Sequence, residues 1–179
     1  MKLRLTTDEM LNQWRLRRAL EPLRLDCTVE RLDGIDADKY LLDEMNGWYL
    51  KLLDTAPAEM LTLTDISKDV TVESKVDGEG VIKLPERCRR VMEIQLGCWQ
   101  RPARIVEPDS PTAQLQDNPY SRGGTAEPVA VKRHRRLHLY SIPPETEAEI
   151  AALYCVMEPE EGFYEMDERA LSLIGSYEP

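Results

Sequence analysis

The two histidines of the chain, His134 and His138, are the first candidates for chemistry because they lie four residues apart. On a helix this spacing places two imidazoles on one face, where they can bind a metal ion. The segment indicates strand and turn instead, and Arg133, Arg135 and Arg136 would place positive charge beside a bound cation. We therefore predict no metal site and interpret both histidines as surface residues of a basic strand.

Motifs for catalysis or cofactor binding are not found in the sequence. It contains no GxGxxG, no Walker loop and no GxSxG, and Gly175-Ser176-Tyr177 has no histidine in a plausible triad order. The carboxylate pairs Glu160-Glu161 and Asp167-Glu168 do not stand alone in an apolar stretch, where a raised pKa would favour acid–base catalysis. We predict that the chain is not an enzyme and uses no cofactor and no small-molecule substrate.

The four cysteines are irregularly spaced and form no CxxC unit: Cys27, Cys88, Cys98 and Cys155. The N-terminal residues 1–5 lack the apolar core of a signal peptide, and no apolar run approaches the roughly 20 residues that span a bilayer. Two disulfides would suit a secreted protein, but these observations favour free, mostly buried thiols. We expect a location in the cytoplasm and no membrane partner.

Charge is distributed unevenly along the chain. The formal net charge is −10, and from Pro144 onward the chain carries ten acidic residues and a single base, Arg169. Such an acidic surface repels phosphate backbones and argues against a general nucleic-acid binder. A solvated, solubilising surface is the simplest interpretation of this acidic segment.

The one concentrated basic cluster is Lys132-Arg133-His134-Arg135-Arg136. Three interpretations remain open: a solvated loop, a small binding module for nucleic acid, and a surface that meets an acidic partner. The acidic C-terminal segment of a second copy would supply such a partner, as in a head-to-tail ring. The predicted interface pairs Arg133, Arg135 and Arg136 with acids between Glu158 and Glu168. These acids include Glu160, Glu161, Asp167 and Glu168.

Two helices are predicted in the first third of the chain. Thr6-Thr7-Asp8-Glu9 matches a capping box, and the helix that it starts is expected to end near Pro22. Residues 25–35 indicate a short strand or an extended loop. A second helix is predicted from Asp36 to the Asp54–Pro57 stop. Its buried face is formed by residues spaced at i, i+4, i+7 and i+11, namely Leu41, Met45, Trp48 and Leu52.

The middle of the chain has the two-residue period of β-strands. The predicted segments are a hairpin over 70–84 with its turn at 77–80, strands at 92–96 and 104–106, a second hairpin over 129–140, and a strand at 150–156. A long loop with a helical turn at 112–116 is expected over 108–124, and a short helix over 166–174.

Together these elements predict an α+β fold in which N-terminal helices pack with an antiparallel β-region of about six strands, followed by a short C-terminal helix. The expected organisation is a helical part over 1–60, the antiparallel β-region over 61–158, and an acidic C-terminal segment over 159–179.

Several short motifs in the β-region occur in a distinctive order. They are Asp77-Gly78-Glu79-Gly80, Val81-Ile82-Lys83-Leu84-Pro85-Glu86, Arg90 to Leu96, Trp99-Gln100-Arg101-Pro102, Asp109-Ser110-Pro111, Gln116 to Tyr120, Glu127-Pro128-Val129 and Leu137-His138-Leu139-Tyr140-Ser141. Over about Asp65 to Tyr154, half of the chain, this order resembles the head-to-tail connector (neck adaptor, or ring) proteins of tailed bacteriophages and prophages.

The resemblance implies a non-enzymatic structural protein that forms a homo-oligomeric ring beneath the portal, extends the DNA channel and receives the tail. It implies portal and tail proteins as partners, with DNA passing through without specific binding. The expected location is the bacterial host cytoplasm during assembly and then the virion neck. An acidic channel would let DNA slide, because carboxylates offer phosphates no binding site.

Overall fold

The structure is a computed structural model that describes residues 1–18, 37–74, 78–144 and 146–175. The segment predicted as strand or loop at 25–35, the helix end at Pro22, the thiol of Cys27 and residues 75–77 of the first predicted hairpin lie outside these residues.

The chain divides into two compact units. The first combines Met1–Thr62 with Glu158–Pro179, and the second is the continuous segment Leu63–Met157. The C-terminal residues therefore share a unit with the N-terminal residues. The predicted division into parts at 1–60, 61–158 and 159–179 stays a prediction.

Two helices form the first unit's α-part. Helix α1 spans Thr7–Arg17 and begins with the predicted capping box: the Thr6 hydroxyl accepts the amide of Glu9 at 3.4 Å, and the Glu9 carboxylate accepts the amide of Thr6 at 2.8 Å. Helix α2 spans Ala37–Thr55. The interhelical ion pairs Arg15–Asp38 and Arg18–Glu44 join the two helices.

The buried faces of α1 and α2 meet through tryptophan. The Trp14 and Trp48 rings pack edge to face with centroids 5.5 Å apart, a geometry that aromatic quadrupoles favour. Met45 and Leu52 are also fully buried, which confirms most of the predicted face of α2. Leu41, the first residue of that face, is only half-buried.

A two-stranded antiparallel sheet completes the first unit. Strand β1, Lys2–Thr6, pairs with β10, Phe163–Asp167, in a register that places Lys2 opposite Asp167. The prediction of a helix over 166–174 is therefore wrong at its start, because Met166 and Asp167 belong to β10. A 3-10 helix follows at Glu168–Leu173, and another lies at Ala58–Met60.

The second unit contains eight strands in its described residues. They are β2 Leu63–Asp65, β3 Val72–Ser74, β4 Gly80–Lys83, β5 Cys88–Leu96, β6 Arg104–Val106, β7 Val129–Arg133, β8 Arg136–Leu139 and β9 Ile150–Met157. Five of them form one sheet in the order β3-β4-β8-β7-β6, and three form another in the order β2-β9-β5. Both predicted hairpins are present, β3–β4 and β7–β8.

One pairing contradicts the predicted all-antiparallel region: β6 pairs with β7 in parallel, with Arg104 opposite Val129. Residues 107–128 make the long crossover that parallel neighbours require. This crossover contains α3, Pro111–Leu115, where the helical turn was predicted, and a 3-10 helix at Pro119–Ser121. Ala113 of α3 is buried with Val106, Val129, Val131 and Tyr140 in a small core.

The main core of the second unit is formed by the inward-facing residues of both sheets, including Ile82, Ile94, Leu137 and Leu153.

The helices and strands of the two units confirm the predicted α+β class, but the expected number of about six strands is wrong, because the described residues form ten. β1 and β2 were missed because each is only three to five residues long and carries few apolar residues, whereas β10 was missed because its last residues were assigned to a helix. No helix among the described residues combines the length and apolar character needed to cross a membrane.

Candidate interaction surfaces

The basic cluster forms the tip of the β7–β8 hairpin. Arg133 and Arg136 lie directly opposite each other, and His134 and Arg135 make the turn between them. His134 has a φ of 53°, in the left-handed region that few residues other than glycine adopt. All four side chains are exposed. The hairpin is held by buried residues nearer its base, among them Val131 and Leu137.

Two members of the basic cluster are already engaged within the unit. The Lys132 ammonium donates to the carbonyl of Arg89 at 2.9 Å and is half-buried. The Arg135 guanidinium lies 2.7 Å from the Glu86 carboxylate in an exposed ion pair. Arg133 and Arg136 form no ion pair with any described residue. These two cations are therefore the ones best placed to meet an outside group.

The histidines do not come together as a pair of ligands. His134 belongs to the turn, whereas His138 lies within β8, opposite Val81 and Val131. Within the described part of the chain, no group of three or more His, Cys, Asp or Glu side chains is arranged to hold a metal ion.

The predicted acidic residues fall at two ends of β10. Glu160 and Glu161 are exposed in the loop between β9 and β10, and Glu160 pairs with Arg4 at 3.1 Å. Asp167 and Glu168 lie at the far end. Asp167 is buried, accepts hydrogen bonds from the amide and the guanidinium of Arg169 at 3.1 and 2.8 Å, and caps the 3-10 helix. Asp167 thus stabilises its own unit.

The bonds from Arg169 also set the protonation of Asp167. They hold the pKa of the Asp167 carboxyl well below its usual range, with a further contribution from the N-terminal ammonium. The carboxylate remains ionised into strongly acidic conditions, since its charged form is the one that these donors stabilise.

A groove of about 470 Å³ lies beside the Glu160-Glu161 loop in the first unit. Helix α2 provides one side through Leu42, Asn46, Tyr49 and Leu50, and β10 provides Phe163 and Tyr164. The Tyr49 and Tyr164 rings pack edge to face at 4.9 Å. Three glutamates, Glu158, Glu160 and Glu161, also line the groove, and no basic residue is among its lining residues.

Hydrogen bonds fix the aromatic residues of this groove. The Tyr164 hydroxyl donates to Asn46 Oδ1 at 2.5 Å, and the Tyr49 hydroxyl donates to the carbonyl of Glu165 at 3.1 Å and accepts its amide at 2.9 Å. Burial, with the negative charges of Glu165 and Glu158, raises the pKa of Tyr49 to about 12. The groove is therefore preformed, with buried, hydrogen-bonded tyrosines in its lining beside a negative wall of glutamates.

The second unit contains a more polar cavity of about 520 Å³ between β6, α3 and the loop that precedes β7. Arg101 and Glu127 form an exposed ion pair of 2.8 Å in its lining. Gln116 also lines it, and its amide Nε2 donates to the carbonyl of Thr112. The ion pair joins the segment before β6 to the end of the crossover, and the amide bond closes the end of α3.

Cys88 and Cys155 are neighbours on β5 and β9. Cys88 lies opposite Met157, two residues beyond Cys155, so both thiols are on one face of the sheet. A hydrogen bond from Cys155 lowers the pKa of Cys88, and the Lys132 ammonium acts in the same direction. The same bond, together with burial, raises the pKa of Cys155. Both cysteines, like Cys98, are free thiols.

Sequence reasoning placed the acidic loop but missed the groove beside it. The groove depends on β10, whose alternation in Phe163-Tyr164-Glu165-Met166 was assigned partly to a helix. Gly162, with a φ of 82°, marks the turn into this strand. In the sequence, the two adjacent aromatic residues Phe163 and Tyr164 after Gly162 were the feature that could have indicated a strand here.

Comparison with protein-family models, with curated proteins and with solved structures finds no match for this chain. Its interaction surfaces must therefore be interpreted from their own geometry.

Proposed function

We propose that the chain is a non-enzymatic structural adaptor that joins the portal of a phage or prophage head to its tail, as one subunit of an oligomeric ring around the DNA channel. The proposal extends to its location, in the bacterial host cytoplasm during assembly and then in the virion neck.

The observation that carries this proposal is the presence of two exposed, oppositely charged surfaces on one chain. The hairpin tip presents Arg133, Arg135 and Arg136 on the second unit, and the β9–β10 loop presents Glu160 and Glu161 on the first. A ring built from identical subunits needs two different, complementary surfaces on each subunit. The order of motifs from Asp65 to Tyr154 adds the resemblance to head-to-tail connectors.

The acidic surface is also compatible with a DNA channel. Exposed carboxylates offer no stable binding to phosphates, so a duplex passing a ring of them would not be held at fixed positions. Portal and tail proteins are the remaining partners of the proposal.

The mass of the full chain in solution tests this function. Light scattering and negative-stain images would be recorded for the chain alone and after mixing with the portal protein encoded in the same genome. We expect a closed ring, either alone or on the portal. A chain that stays monomeric in both samples would contradict the proposal.

A second candidate is a small intracellular module that binds nucleic acid, or an acidic partner, through residues 132–136. The exposed arginines of the hairpin tip favour it. Titration with a DNA duplex and with single-stranded DNA at about 50 mM and 200 mM salt separates the two functions, because phosphate contacts weaken steeply with salt. Tight, salt-sensitive binding would favour the module, whereas no binding at low salt would remove nucleic acid as its ligand.

A further inference from the structure

We propose that the groove between α2 and β10 is the receptor for the β7–β8 hairpin tip of a second copy of the chain, with Arg133 and Arg136 as the entering side chains. This inference rests on the proposed function and specifies which groups form the contact between subunits.

The groove has the chemistry that a guanidinium requires. Its lining includes the half-buried Phe163 ring and the buried rings of Tyr49 and Tyr164, and the exposed Glu160 and Glu161 offer carboxylates. An arginine side chain combines a planar cation, which stacks on aromatic rings, with donors that match a carboxylate. Glu160 already pairs with Arg4, but Glu161 forms no ion pair with any described residue, so the negative charge left at this lining favours a cationic occupant over an anionic one.

An arginine of the chain itself already binds beside this groove. The Arg4 guanidinium lies 4.4 Å above the centre of the Phe163 ring and forms ion pairs with Glu160 at 3.1 Å and Glu165 at 3.5 Å. This arrangement shows that the aromatic and acidic groups here can hold a guanidinium together. Glu161 forms no ion pair with any described residue and extends the negative wall beyond Arg4.

The hairpin tip has the complementary chemistry. Arg133 and Arg136 are directly opposed on neighbouring strands, so their side chains leave the same face of the hairpin. Arg135 is held by Glu86 and Lys132 by the carbonyl of Arg89. The two opposed arginines thus form a narrow cationic pair at an exposed tip, and its hydrogen-bonded backbone limits the entropy lost on docking.

Charge reversal tests the contact in the full chain. The hairpin variant is Arg133→Glu with Arg136→Glu, and the groove variant is Glu160→Arg with Glu161→Arg. We expect each to weaken self-association by about tenfold or more, measured by sedimentation, because each places like charges across the contact. Mixing the two variants in equal amounts should restore association, since every hairpin then finds a groove of opposite charge.

Matched controls change the same charge elsewhere. Arg101→Glu with Arg104→Glu controls for the hairpin variant, and Glu147→Arg with Glu149→Arg controls for the groove variant. All four residues are exposed, so self-association should stay within about twofold of the wild-type value. If the groove variant loses its fold by circular dichroism, Glu161→Lys alone replaces it, because that change leaves the pair between Arg4 and Glu160 intact.

The results of these experiments distinguish the groove contact from the proposed closed ring. A closed ring that tolerates both reversals would overturn the groove contact and leave the adaptor function standing. Association that is lost in each variant and restored in the mixture, but yields open chains or dimers, would support the groove contact and contradict a closed ring. Reversals that weaken association no more than their controls, a mixture that restores nothing, or a wild-type chain that is monomeric up to about 1 mM would each overturn the inference.

Discussion

The Arg122 guanidinium lies 2.6 Å from the Glu79 carboxylate and joins the crossover before β7 to the start of β4. The Arg122 side chain is only 6% exposed, whereas that of Glu79 is 33% exposed. Arg122 also donates from Nε to the carbonyl of Gln116 at 2.8 Å and lies 5.1 Å from the centre of the Tyr140 ring. A single side chain therefore connects three separate segments of the second unit.

Replacing Arg122 with methionine should lower the free energy of unfolding by about 2 kcal/mol, because it leaves a partly buried carboxylate and a carbonyl without their donor. Urea unfolding of the full chain measures this. Arg101→Met is the matched control: its pair with Glu127 is exposed on both sides and should contribute less than about 1 kcal/mol. Equal losses of unfolding free energy in Arg122→Met and Arg101→Met would show that the burial of Arg122 does not strengthen its contribution.

We expect the native residue at Ser141 to destabilise the fold. Its φ is 63°, and its hydroxyl is buried without a hydrogen-bond partner in the described structure, while its carbonyl accepts the Trp99 indole at 3.2 Å. Ser141→Gly should raise stability by about 1 kcal/mol, because glycine adopts this conformation without the steric penalty. Ser141→Ala keeps the positive φ and should gain less. A loss of stability in the glycine variant would show that the strain is not significant.

Asp167 should make stability depend on acidic pH. Its folded pKa is depressed by Arg169, so the unfolded chain takes up a proton at higher pH than the folded chain. The stabilisation is present above the unfolded pKa of about 3.9 and is lost as the pH falls through and below that value.

Urea unfolding at pH 7 and pH 3 measures this dependence. Asp167→Asn should lower stability at pH 7 and reduce the difference between the two pH values. Glu168→Gln, a change of the exposed neighbour, should leave the difference close to that of the wild type. An unchanged pH dependence in Asp167→Asn would exclude Asp167 as its source.

The thiols of Cys88 and Cys155 should differ in reactivity. Cys88 is half-buried with a lowered pKa, whereas Cys155 is fully buried with a raised pKa. Because the thiolate is the reactive form, iodoacetamide at pH 7.5 should modify Cys88 well before Cys155. Cys155→Val removes the hydrogen bond to Cys88 and should slow the modification of Cys88 several-fold. Peptide mapping by mass spectrometry gives each rate, and faster modification of Cys155 would contradict the assignment.

The sequence predicted the elements whose periodicity is long or whose ends are capped. Helix α2, the capping box at Thr6 and both hairpins of the second unit followed from spacing alone. Strand β5 shows where spacing fails: Met92, Ile94 and Leu96 alternate in the sequence, but the pairing is irregular between Val91 and Glu93. Val91 is consequently buried and Met92 only half-buried. A bulge of this kind is decided by the partner strand, which a local pattern does not include.

The candidate site was only partly predictable for the same reason. Arg133 and Arg136 are close in sequence, so the hairpin brought them together as expected. The groove combines Asn46 and Tyr49 with Tyr164, more than 100 residues away in the chain. A periodic pattern within one segment does not predict a contact between segments so far apart in the chain. Asp167 illustrates the remaining limit: composition placed it on an acidic surface, whereas its hydrogen bonds to Arg169 give it a structural role.

The pairing of β1 with β10 also constrains the order in which the chain can fold during synthesis. Residues 63–157 form a continuous unit and can fold as soon as they leave the ribosome. Strand β1 must wait for Phe163–Asp167 before it finds its partner. At about 5–20 residues per second, the nascent N-terminal segment remains without this partner strand for about 8 to 30 seconds. The acid-lined groove, which needs β10, therefore forms only after residues 63–157 have been synthesised, which would delay the proposed docking of a hairpin tip until then.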